Sequence, residues 1–187
     1  MDSPRAAPAI RGPDPPEQGA RGSPTGPLLL RLLIKLAAIA AILALANAFV
    51  LGMQAQHGNR MHPYVMDGDV VITFKRDTYR VGDVVVYRSP RTGKPDISRI
   101  AAIGAYEIQL TDQGQLLING SPVDEKVFYP TQPLPDSQIS FPYYMTPEGY
   151  FLLDDYRIEG LDSRLFGQVT REDLLGKVVY VFRRRGI

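Results

Sequence analysis

Gly149-Tyr150-Phe151-Leu152-Leu153-Asp154-Asp155-Tyr156-Arg157-Ile158-Glu159-Gly160-Leu161-Asp162-Ser163-Arg164-Leu165-Phe166-Gly167 runs from a short apolar stretch through a polar turn into an Asp-Ser-Arg-x-Phe-Gly knot. Tyr150–Leu153 is a continuous apolar run bounded by turn residues, the pattern of a buried strand. Outward from it, Val70–Phe74 and Val84–Tyr87 are β-branched runs of the same length class, each entered through a Gly-Asp pair, Gly68-Asp69 and Gly82-Asp83. Ile97–Ile103, Glu107–Leu110, Leu116–Ile118 and Val178–Phe182 read as further strands. Asn119-Gly120 is a strong hairpin turn, and Asp112-Gln113-Gly114 suits another. Many short strands, polar turns and no long soluble helix predict an all-β, antiparallel domain. Thr131–Pro147, rich in proline, is expected as an irregular loop, and Arg171–Leu175 as a single helical turn capped by Thr170.

The N-terminal part is different in kind. Residues 1–27 interleave Pro8, Pro13, Pro15, Pro16, Pro24 and Pro27 with Gly and Ala, without apolar period, and are expected to be a disordered cytoplasmic tail. Residues 28–53 are almost wholly apolar, and Leu36–Gly52 carries no charge. A membrane span takes about 20 residues. Arg31 and Lys35 can snorkel at its start. Arg21, Arg31 and Lys35 precede the apolar run, and the positive-inside rule then places the N-terminus in the cytoplasm and residues 54–187 outside as the folded domain. A cleavable leader is the alternative, with Ala44-Leu45-Ala46 as its cleavage motif, but the run is long and starts late for one. A retained single-pass cell-membrane anchor is the reading adopted.

Composition removes several function classes. The formal net charge is +1 over 187 residues, which gives no electrostatic footprint for nucleic acid. There is no cysteine, hence no disulfide, thiolate metal site or cysteine nucleophile. His57 and His62 are the only histidines, so no metal site and no cofactor are expected. Arg183-Arg184-Arg185 is read as a solvated end, or a contact with anionic lipid.

Three blocks together resemble the type I signal peptidase family, S26. The first is Arg60-Met61-His62-Pro63-Tyr64 followed by Gly68-Asp69, similar to the family's Ser-Met-x-Pro-Thr and Gly-Asp. The second is Gly82-Asp83 with its strand and then Ser98-Arg99, similar to the family's Lys-Arg pair before a hydrophobic strand. The third is the opening stretch, similar to Gly-Asp-Asn and Ser-x-Asp-Ser-Arg-x-Phe-Gly. The hairpin at Asn119-Gly120 fits as well, and the likeness spans roughly residues 28–182. It implies a signal-peptidase-like antiparallel β domain behind one N-terminal transmembrane helix.

It also implies which residues should do the chemistry, and they are not there. The family's nucleophilic serine falls on Arg60 and its general-base lysine on Ser98; Asp154, Tyr156 and Gly160 depart from the pattern too. A serine needs a base, and a lysine serves only when apolar surroundings make it neutral. An arginine does neither, since its pKa exceeds about 12. His62 activating a water is the remaining rescue. The resemblance assigns Arg60, Met61, Pro63 and Ser98 to a peptide-binding cleft, where Arg60 either anchors a carboxylate or carbonyl of the bound segment or pairs with a nearby Asp, and implies structural ion pairs of Arg99 with Asp155 and of Asp162 with Arg164. No catalytic residue is assigned. The chain looks like the degenerate signal-peptidase-like proteins of Gram-positive pilus loci. Its expected partner is then a secreted or pilin polypeptide in extended conformation, added as a strand. The alternatives are an active signal peptidase I and a membrane-anchored structural protein with no peptide cleft.

Overall fold

The computed structural model describes residues 25–75, 78–125 and 127–184. Residues 1–24 of the tail expected to be disordered lie outside them. The chain divides into two compact units after Ala40. The first carries most of α1 (Thr25–Phe49), whose stretch Leu28–Leu45 has a mean hydropathy of 2.5 and no burial inside the protein, long and apolar enough to cross a membrane. Leu, Ala and Ile supply good helix formers throughout, and Pro27 sits in the first turn, where no amide donor is lost.

The second unit is built on two antiparallel sheets. Six strands, β1 (Leu51–Ala55), β2 (Val70–Phe74), β3 (Val84–Arg88), β4 (Pro95–Ile103), β9 (Tyr150–Leu153) and β10 (Leu174–Phe182), lie in the order β1-β2-β10-β3-β4-β9. The smaller sheet holds β5 (Glu107–Leu110), β6 (Leu116–Ile118), β7 (Ser121–Pro122) and β8 (Tyr143–Tyr144) in the order β7-β6-β5-β8. α2 (Ser163–Phe166) and a 3-10 turn, Arg171–Asp173, complete the regular structure. The mostly antiparallel β architecture behind one apolar helix is the fold class read from the sequence. Two boundaries differ: the helix opens at Thr25, three residues inside the expected tail, and it ends before the expected end of the anchor. Leu51, Gly52 and Met53, assigned to the anchor on hydropathy, are strand residues, because their backbone pairs with Phe74, Thr73 and Ile72. Hydropathy alone cannot separate an apolar edge strand from the end of an apolar helix.

The two Gly-Asp pairs act alike. Gly68 and Gly82 take φ of 80° and 90°, which only glycine adopts without strain. The aspartate that follows each accepts from a backbone N–H three residues back: Asp69 from Met66 at 3.0 Å, Asp83 from Arg80 at 2.9 Å. Each strand therefore starts from a turn braced by its own side chain. Asn119 and Gly120, at φ 51° and 75°, turn β6 into β7. The core falls into three apolar groups. Met61, Val65, Val71, Val86 and Ile97 form one; Val85, Tyr87, Ile100 and Leu152 the next; Ala102, Ile108, Leu116, Phe151 and Leu153 the third.

Candidate functional site

The knot after β9 is a device for closing a sheet edge. β9 pairs with β4 on one side only. On the other side, Ser163 Oγ accepts from Leu152 N–H at 2.9 Å and Asp162 Oδ2 accepts from Asp154 N–H at 3.0 Å. Tyr150 and Val169 exchange backbone hydrogen bonds farther along. Two side chains and one bridge thus occupy edge donors that would otherwise lie buried and unpaired. Asp162 also caps α2 by accepting from Arg164 N–H, and it takes the Arg164 guanidinium in a fork, Nε at 2.9 Å and Nη2 at 2.8 Å. Arg164 spends its remaining reach on the carbonyls of Gln132 and Arg157. Gly160 is fixed by this arrangement: a Cβ there would stand 2.1 Å from Arg164 Nη2 and 2.6 Å from Asp162 Oδ2.

Beside the knot lies a polar centre drawn from all three blocks. The Arg60 guanidinium bridges Asp96 at 2.5 Å and Asp154 at 3.2 Å. Ser98 Oγ donates to the other oxygen of Asp154 at 2.5 Å, and Leu161 N–H donates to Asp154 at 3.0 Å. The backbones join too, Tyr156 N–H donating to Arg60 C=O at 2.8 Å. Ser98 and Asp154 have no exposed surface. Burial and the neighbouring charge of Asp162 push the Asp154 carboxyl up to about 7, against the pull of Arg60 and the Ser98 hydroxyl. Burial works against the charge of Arg60, but its hydrogen bond to Asp96 and the charge of Asp154 outweigh it and hold the guanidinium above its ordinary pKa. Burial, with Asp154 and Asp96 nearby, pushes the Tyr87 phenol well up.

The expected site residues are placed as follows. Arg60 and Ser98 meet through Asp154. Met61 and Ser98, expected in an open cleft, lie in the interior with none of their surface exposed. The turn after Arg60 packs Met61 into the first apolar group, and register sets Ser98 opposite Val85 in the middle of the sheet. Pro63 lines a separate cavity. Arg99 forks onto Asp155, Nε at 2.7 Å and Nη2 at 2.6 Å, and donates to Gly82 C=O; the hydrogen bond with Asp155 raises its pKa. His62 is exposed, edge-on to Tyr156 at 6.5 Å.

Three participants were missed by sequence reasoning. Asp96 gave no signal, standing among turn residues after a proline. Arg157, 2% exposed, holds Glu125 at 2.7 and 3.1 Å, Thr131 Oγ1 and Asp154 C=O, and it straps the loop after β7 to the end of β9. Asp154 was legible only as a departure from a motif. The available clue was that the departures at 60 and 154 carry opposite charges. Among the described residues no acid-and-histidine cluster could hold a metal ion.

Comparison with known proteins agrees with the three blocks. The sequence model of the family described as signal peptidase, peptidase S26, matches residues 29–183. A signal peptidase I from Leptolyngbya laminosa is 28% identical over 181 residues, covering 90% of this chain and 87% of that protein. Signal peptidase IB of Staphylococcus aureus is 24% identical over 174 residues, covering 82% of this chain and 89% of that protein. A crystal structure of a signal peptidase I from Enterococcus faecalis superposes with a TM-score of 0.45 at 21% identity, covering 54% of this chain and 97% of that one. With a family match over most of its length, the chain belongs to the signal peptidase family, peptidase S26.

Proposed function

We propose that this chain is a non-catalytic member of its family, a membrane-anchored factor that holds an extended segment of a secreted or pilin polypeptide during export or assembly. The observation that carries this reading is the closed polar centre. Where the family places its serine stands Arg60, locked between Asp96 and Asp154; where it places its lysine stands Ser98, its hydroxyl spent on Asp154. Acyl transfer needs a nucleophile with a base in reach and room for a carbonyl beside it. Arg60 is neither nucleophile nor base, and no surface of Ser98 can be touched by a substrate. The position of the family's first serine in the third block is Gly160, where a side chain would collide with Arg164. In this reading α1 is a single span with its N-terminus in the cytoplasm, and the β unit works outside.

The names of the relatives favour the competing reading, an active peptidase. Ser98 against a carboxyl with a pKa near 7 is the one pair that resembles a nucleophile and base. The decisive experiment incubates the purified full-length protein with a secreted precursor that keeps its signal peptide. No processing is expected, while a photocrosslinker at the exposed Tyr64 captures the precursor in cells. Processing that disappears in Ser98→Ala would sink the non-catalytic reading. Failure of Tyr64 to capture any precursor would favour a structural protein with no peptide site.

A further inference from the structure

A cavity of about 660 Å³ opens next to the polar centre without sharing its residues. Its wall takes residues near three of the centre residues instead: Arg99 after Ser98, Asp155 after Asp154, and Pro63-Tyr64 in the turn that follows Arg60. In β4 successive side chains leave on opposite sides of the sheet, so Ser98 joins the closed ionic centre while Arg99 faces the open cavity. Val81 and Phe128, 59% and 75% exposed, stand at this cavity with Val123 and Val127. The volume falls within the roughly 300–1,000 Å³ of ligand sites.

Charge decides what fits. Among the described residues the lining holds three arginines and three carboxylates. Arg99 is forked onto Asp155 and Arg157 onto Glu125, which leaves the exposed Asp124 and Arg183, of opposite sign. With two ion pairs formed and the remaining two charges of opposite sign, these walls carry no net charge to draw a charged occupant, whereas an apolar one removes Val81, Val123, Val127 and Phe128 from water at about 25 cal/mol per Å². The Arg99 guanidinium stacks 5.1 Å over the Tyr64 ring and stiffens the wall. The Arg157–Glu125 strap fixes the loop opposite. The cavity is thus preformed, which lowers the ordering cost of binding.

We propose that this cavity, and not the Arg60–Asp154 centre, receives one or two bulky uncharged side chains of an extended secreted polypeptide. The polypeptide nature of the occupant rests on the function proposed above; the cavity and its apolar selectivity do not. The chain contains no tryptophan, so a tryptophan in a probe reports alone. The probe is the capped peptide acetyl-Ser-Leu-Trp-Val-Ser-amide, titrated against full-length protein in nanodiscs. A saturable blue shift of its emission is expected. Val81→Asp and Phe128→Asp, at positions too exposed to disturb the fold, weaken binding at least tenfold. The same peptide with Asp in place of Leu and Val binds at least tenfold more weakly, and Asp96→Asn changes probe affinity less than twofold. Absence of saturable binding by the unmodified protein, or affinity indifferent to both cavity substitutions, overturns the proposal. If capture of a precursor at Tyr64 persists in Phe128→Asp with unchanged yield, the cavity assignment falls and the function stands. If the precursor is cut yet the probe still needs Val81 and Phe128, the function falls and the cavity stands.

Discussion

Asp154 gathers Ser98, Arg60 and Leu161 around a carboxyl with no exposed surface. Its burial beside Asp162 raises its pKa from 3.8 to about 7. The folded chain therefore keeps a proton on Asp154 up to near neutrality, while the unfolded chain releases it near 3.8. Folding takes up a proton between those values. The resulting stability is fully present below the lower value and is lost as pH rises through the upper one. Denaturation of the full-length protein between pH 5 and 8 should show this group adding stability towards acid, by up to about 1.4 kcal/mol per pH unit. Asp154→Asn should remove that increment whatever its effect on absolute stability. An unchanged slope in the variant would mean that the proton resides elsewhere. Arg60 is the counterpart: with Asp154 ionised it satisfies a buried charge, and removing it leaves that charge uncompensated, at a cost of about 3–5 kcal/mol.

At the scale of elements, the decisive structure is the loop that follows β9. It runs alongside the strand and supplies acceptors from Ser163 and Asp162 where another strand would supply carbonyls. Arg157 and Arg164, each about 1% exposed in the side chain, then tie this loop outward, Arg157 to Glu125 and Thr131, Arg164 to Gln132. Residues 123–125 and 127–131 have almost no regular structure of their own and depend on these contacts. Arg157→Met keeps the apolar stem but removes every donor. It should destabilise the protein by about 3 kcal/mol or more, since Glu125 loses its partner and Asp154 C=O its donor. Hydrogen exchange should then accelerate first in 123–131, ahead of β3 and β10. Uniform acceleration across the sheet would show that the strap acts on global stability alone.

For the molecule as a whole, the polar centre behaves as a unit, and a test of the proposed non-catalytic reading has to respect that. Under that reading, Arg60→Ser with Ser98→Lys writes back the residue types that the resemblance places at these positions. Asp154 would remain beside the new lysine, hold it protonated and leave the serine without a base. The double variant is therefore expected to stay inactive on a signal-peptide precursor. Adding Asp154→Gly removes the carboxylate and is the step at which slow processing should first be measurable by gel shift of the precursor. Equal activity in the double and triple variants would refute the role given to Asp154. The outer face of the large sheet matters at this scale too: Leu51, Met53, Tyr180 and Phe182 are exposed on β1 and β10. They leave a substantial apolar surface on the β unit.

The sequence by itself determined most of the strands and the family; β1 and β8, read as the end of the anchor and as part of an irregular loop, depended on their pairing partners. Period, Gly-Asp and Asn-Gly turns are local instructions, and the strands form where β-branched runs stand between them. It also determined that position 60 cannot attack a carbonyl and position 98 cannot accept its proton, because those are properties of residue types. Only the tertiary structure decided what those side chains do instead. Asp96 and Asp154 lie 36 and 94 positions from Arg60, and Glu125 lies 32 from Arg157. No local pattern encodes such meetings; they follow from which strands become neighbours and in which register. The same holds for the fate of Met61 and Ser98. Their place in the motif suggested an open cleft, but packing of a turn buried Met61 and sheet register buried Ser98, while the accessible space lies at Pro63, Tyr64, Arg99 and Asp155.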